Sequence, residues 1–245
     1  REMFSTFSGN AVMAISGHFI FMALCVTIVY RGIKGGIEYW SKILMPVLFV
    51  LLVALILRGL TLPGAIEGVR FYLSPDFSQI TSTNILSALG LAFFSLSLGM
   101  GVLITYGSYV GEGENLFKAT FAVAALDTLV CLLAGLAIFP ALFALSFQPD
   151  AGPGLVFQVL PAAFSVLPFG AFWAFVFFLL LLVAALTSGI SLLEVVTAYF
   201  IDERGWSRQR AAVVFGAIIF LLGCGSAVSV ANWDRLPWMA VAIKG

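Results

Sequence analysis

Residues 93–110 read FFSLSLGMGVLITYGSYV, a strongly apolar run interrupted by Ser95, Ser97, Gly99 and Gly101. A helix at membrane depth has no water to satisfy a backbone group that loses its partner, so the interruption needs a cause. Each glycine weakens a helix by about 1 kcal/mol relative to alanine, and the serines compete for backbone groups. Two causes fit. Ser95 with Gly99, and Ser97 with Gly101, are small residues at four-residue spacing that let helices pack closely. Alternatively the helix is discontinuous, and its freed carbonyls and half-helix ends hold an ion and a substrate near the midplane.

The rest of the chain supplies the membrane. It is 62% hydrophobic and only 10% charged, with 24 phenylalanines among 245 residues. Its mean hydropathy is +1.11, outside the range of an ordinary globular domain. The net charge of zero gives no nucleic-acid footprint. Cys25, Cys131 and Cys224 lie inside apolar runs and read as small core residues, not as a disulfide or metal framework. The opening REMFSTFSGN has no initiator methionine or basic leader, and the chain stops at AVAIKG. We therefore expect a piece of a longer polypeptide.

Apolar runs of the length needed to cross a bilayer, about 20 residues, predict an all-α polytopic membrane protein. About six transmembrane helices are expected in one membrane domain over 1–245, near 16–30, 41–57, 85–109, 116–139, 171–201 and 211–230. The connection 140–170 contains no lysine or arginine and is broken by prolines, which suits short helices over a membrane domain. Arg31, Lys34, Lys42, Lys118, Arg204, Arg208 and Arg210 fall on one side, against Arg58, Arg70, Arg235 and Lys244 on the other. The richer side is the expected cytoplasmic one, which makes 140–170 extracellular.

Away from the span ends, only Asp127 and Glu194 put acid inside an apolar run. A carboxylate there costs about 2.5–3.5 kcal/mol even on a lenient insertion scale, which makes each a functional candidate. The plain reading is a structural acid with a local donor, and for Glu194 the hydroxyls of Ser191 and Thr197 are within helical reach. Thr187 and Ser188, in LLLLVAALTSGISLLEV, place adjacent hydroxyls deep in a span. By default such hydroxyls bond back to the carbonyl one turn earlier.

FFSLSLGMGVLITYGSYV resembles the unwound sixth helix of the neurotransmitter:sodium symporter family. RGLTLPGAIEGVRFYLSPDFS (58–78) resembles the link from that family's fifth helix to its sixth, and AALTSGISLLEVVTAYFIDE (184–203) its eighth helix. The motifs follow in the family's order, and the resemblance covers helices four to nine of a twelve-helix protein. It implies a partial leucine-transporter-type inverted-repeat fold with one discontinuous helix.

Residue by residue, the resemblance implies two sodium sites. Ser95 and Asp127 belong to the first. The carbonyl of Ala184 with the hydroxyls of Thr187 and Ser188 belongs to the second. Hard oxygen donors suit an alkali cation. Phe94, Ser95, Ser97, Leu98 and Met100, with Ser188 and Leu192, would line the substrate pocket. Tyr109 and Asp202 match the family's cytoplasmic gate. Each sodium site is incomplete without the family's first helix, so the remaining helices of a full-length transporter are expected partners, beside lipid, sodium and an amino acid.

The implied function is sodium-coupled symport of an amino acid, expected to be hydrophobic because Met100 and Leu192 offer apolar walls. The expected setting is a plasma membrane, a bacterial inner membrane first. At the position where the family often has a neutral asparagine this chain has Asp127. Where some members carry a glutamate it has Cys131, and where chloride users carry a glutamine it has Leu91. The added charge at Asp127 and the lost anion ligand at Leu91 predict chloride independence. Gly36 and Pro46 enclose nine residues, a spacing seen in some members, readable as a site of unwinding or as a simple proline kink. Other classes fit less well. An enzyme would need a metal cluster or nucleophile pair, and the only histidine, His18, stands near a span end without a second ligand. A channel would want repeated polar rings. An amino-acid sensor on the same fold is the alternative.

Overall fold

The computed structural model describes residues 9–74, 77–111, 113–145, 155–165 and 167–231, and is helical with short connections. Helix α1 spans Ala11–Tyr30. It starts earlier than the expected residue 16 because the Asn10 side chain accepts from the N–H groups of Val12 and Met13, at 3.1 and 3.3 Å. A π-helical turn, Ile33–Glu38, leads into α2, Tyr39–Leu60. A short α3, Ala65–Leu73, follows. The third expected span is broken into α4, Ser82–Ser95, and α5, Val102–Ser108, on either side of a 3₁₀ turn, Leu98–Met100.

Helix α6, Leu116–Ala144, runs past the expected end at 139 and carries Pro140 within it. Proline forfeits one helical hydrogen bond, but Pro140, Ala141 and Leu142 are buried there. Leu142 joins a packed cluster with Leu55, Leu160, Phe164, Val176 and Phe177. Packing offsets the lost bond, so the connection expected over 140–170 begins later and contains a π-turn, Leu155–Val159, and α7, Leu160–Ser165. Helix α8 spans Gly170–Arg204 and α9 spans Arg208–Ala231. Gly205, at φ +63°, ends α8. The N–H of Trp206 reaches back to the Phe200 carbonyl (3.1 Å) to close the last turn.

Among the described residues, five helices are long and apolar enough to cross a membrane: Ala11–Tyr30, Ile33–Leu60, Leu116–Ala144, Gly170–Arg204 and Arg208–Ala227. The two pieces α4 and α5 are each shorter. Arg235 and Lys244, used for the expected orientation, lie outside the described residues, as do 146–154 of the connection.

The chain divides into two compact units, residues 1–43 with 185–245, and residues 44–184. In the first, His18 stacks on Phe220 of α9 with centroids 5.2 Å apart. A side chain at Gly216 would collide with Val26, and one at Gly223 with the His18 ring. Small residues let apolar helices approach where lipid offers no hydrophobic drive between them. In the second, α3 lies along α6 and α7 joins the cluster around Leu142.

Candidate functional site

The site starts at the broken helix. The N–H of Leu96 still bonds the Ala92 carbonyl (3.0 Å), and that of Ser97 the Phe94 carbonyl (3.0 Å). The chain then turns left-handed at Ser97 (φ +53°) and again at Gly101 (φ +78°). Glycine tolerates that conformation, whereas a residue with a Cβ pays roughly 1–2 kcal/mol. Ser97 is one of two described non-glycine residues with positive φ. Such strain persists where surrounding structure over-determines it, typically at ligand sites.

At the end of α4, immediately before the break, the Ser95 hydroxyl donates to the Asp127 carboxylate of α6, lying 2.7 Å from Oδ1 and 2.8 Å from Oδ2. Both side chains are half-buried. The Cys131 thiol, one turn along α6, stands 4.0 Å from Ser95 Oγ. The structure thus brings together the two residues assigned to the first sodium site. Their hard oxygens meet at a break in the helix, a donor set that fits an alkali cation better than a soft metal. No group of three or more His, Cys, Asp or Glu arranged to hold a metal occurs among the described residues.

Phe94 stands at the end of α4, while Ser97, Leu98 and Met100 form the break itself. Ser188 and Leu192 occupy α8 one turn apart, in the other compact unit. Ala184, Thr187 and Ser188 are at i, i+3 and i+4 of the same helix, with the unit boundary falling after Ala184. The Thr187 carbonyl accepts the Ser191 hydroxyl at 3.0 Å. Tyr109 caps the end of α5, and Asp202 lies exposed in the last turn of α8.

Glu194 has a partner that the sequence reading did not anticipate. It is fully buried, and one guanidinium nitrogen of Arg208 donates to both its oxygens, at 2.9 and 2.7 Å. The expected local donors bond elsewhere as well: Ser191 to Thr187, and Thr197 to the Leu193 carbonyl at 2.9 Å. In the sequence Arg208 stands only as one of the basic residues on the expected cytoplasmic side. The signal that finds it is the demand of a buried acid for a base, met by the first residue of the next helix. His18 has no hydrogen-bond partner for Nε2 among the described residues and packs as a ring on Phe220.

The model of the sodium:neurotransmitter symporter family matches residues 8–236. The chain is 44% identical over 221 residues to the "uncharacterized sodium-dependent transporter YhdH" of Bacillus subtilis, covering 90% of this chain and 49% of that protein. It is 30% identical over 244 residues to the sodium-dependent serotonin transporter of Drosophila melanogaster, covering 91% of this chain and 39% of that one. Among solved structures it is similar to MhsT in complex with L-phenylalanine, with TM-score 0.84 and 47% identity over 95% of this chain and 53% of that chain. The chain thus spans about half the length of the curated relatives it matches.

Proposed function

This chain belongs to the sodium:neurotransmitter symporter family, and from that premise we propose that it is part of a sodium-coupled amino-acid symporter working by alternating access. The observation that carries the proposal is the Ser95–Asp127 pair at the break, with its hydroxyl and carboxylate 2.7–2.8 Å apart. Sodium, as co-transported substrate, would be held there by Ser95 and Asp127. A second ion would be held by the Ala184 carbonyl and the Thr187 and Ser188 hydroxyls. The remaining ligands would come from the other half of the transporter.

The break would serve the amino acid as well. The backbone between Ser97 and Gly101, which departs from regular helix, would suit an ammonium group, with Phe94, Ser95, Ser97, Leu98 and Met100 around the substrate. Ser188 and Leu192 of α8 are the substrate residues that the family resemblance would add. The apolar members of that set suit a hydrophobic side chain. The L-phenylalanine complex of the similar MhsT supports the same class. Tyr109 and Asp202 would belong to the cytoplasmic gate.

The test is uptake into proteoliposomes by the full-length transporter, with L-phenylalanine as the first probe. An imposed sodium gradient should drive accumulation. Ser95→Ala should raise the half-saturating sodium concentration about tenfold or more, as expected for losing a hydrogen bond to a charged group. Accumulation that ignores the sodium gradient would sink the proposal.

A further inference from the structure

Four-residue steps along α6 from Asp127 pass Cys131, Gly135, Phe139 and Phe143. Residues at that spacing share one face of a helix. The lower end of this ridge carries the carboxylate bonded to Ser95, and the upper end is where α3 docks. Phe71 of α3 meets Phe139 and Phe143 with ring centroids 5.5 and 4.9 Å apart. Gly68 lies directly on the Phe139 carbonyl, where any side chain would collide. Tyr72 stacks on Phe139 at 5.1 Å. Its ring presses so closely on Gly135 that a Cβ there would strike the phenol.

The two ends meet at Cys131. The Tyr72 hydroxyl donates to its carbonyl at 3.4 Å, and its thiol stands 4.0 Å from Ser95 Oγ. A tyrosine phenol is protonated at neutral pH, so the Tyr72 hydroxyl is available as a donor, and burial, with secondarily the nearby Cys131, pushes its titration further up. We propose that Tyr72 is a positioning residue for the Ser95–Asp127 cation pair: by anchoring α3 to the α6 backbone at Cys131, it fixes the turn that aims Asp127 at Ser95. The proposal rests on reading that pair as a sodium site. Linkage makes it reciprocal, because whatever factor the seating of α3 adds to sodium affinity, sodium adds to the seating of α3.

The experiment uses the full-length transporter with Tyr72→Phe, which keeps the ring stack and removes only the hydroxyl, beside Asp127→Asn. Sodium is titrated against binding of radiolabelled L-phenylalanine, and hydrogen exchange over 65–73 is followed with and without sodium. Tyr72→Phe should raise the half-saturating sodium concentration about three- to tenfold, the scale of one net hydrogen bond. Affinity for L-phenylalanine at saturating sodium should change less than about twofold. Sodium should slow exchange in 65–73 in the parent and not in the variant. An unchanged sodium titration for Tyr72→Phe, with Asp127→Asn impaired, would overturn the positioning role alone. Equal loss of phenylalanine affinity at saturating sodium would reduce Tyr72 to a packing residue. An Asp127→Asn protein with unaltered sodium dependence would instead overturn the site reading itself.

Discussion

Glu194 and Arg208 show how a single buried charge dictates its surroundings. A fully buried carboxylate is tolerable only when paired and hydrogen-bonded. Its partner is an unlikely choice by local rules, since Arg208 opens α9, where the helix dipole disfavours a cation. The pair therefore outweighs the dipole. Removing one partner of such a pair typically costs roughly 3–5 kcal/mol, whereas neutralising both costs far less. Arg208→Ala is expected to lower the thermal midpoint of the detergent-solubilised full-length protein markedly, and Glu194→Gln added to Arg208→Gln should recover much of the loss. Parent-like stability of Arg208→Ala would show that the pair contributes nothing. Composition could not reveal this bond. Glu194 was visible as an acid in an apolar run, but its base lies fourteen positions on, beyond a turn closed by Gly205, where helical periodicity carries no information.

Elements were legible where their ends carry chemistry. The glycines and serines of 93–110 left close packing and a break both open, the family resemblance implied the break, and the structure bends left-handed at Ser97 and Gly101. The end of α6 was misread because Pro140 stops a helix in isolation, whereas burial of residues 140–142 carries it on. The entry to α2 lies between these cases. The N–H of Ile37 reaches the Gly32 carbonyl (3.1 Å) across five residues, a π-turn of the kind frequent at functional sites. Gly36 is buried so tightly on the Ile28 carbonyl that an alanine there would collide. A defective Gly36→Ala protein would therefore report packing and not unwinding, which makes Pro46, inside α2, the better probe. If this end opens to release sodium, amide exchange over 36–46 should rise when sodium is removed, and Pro46→Ala should reduce that rise. Identical exchange in both conditions would leave only a kink.

At the scale of the whole molecule, the question is how charge would be balanced beside the proposed first sodium site. A cation in a low-dielectric site needs a nearby negative charge, supplied either by a bound anion or by a fixed carboxylate, and the attraction is stronger there than in water. The resemblance made Asp127 the fixed carboxylate, and the geometry gives that reading a neighbourhood. Asp127 is bonded to Ser95, and Cys131 lies on the same face one turn along. Leu91 sits four residues before Ser95 on α4, so it shares the face that approaches Asp127 yet offers an anion no donor. A chloride ion placed here would meet a carboxylate and a hydrocarbon side chain. Uptake by the full-length protein should therefore persist when gluconate replaces chloride, and Asp127→Asn should lose most uptake without chloride and regain part of it with chloride. A parent protein that stops transporting in gluconate would assign the balancing charge to a bound anion, and Asp127 would then be a sodium ligand without a role in charge balance.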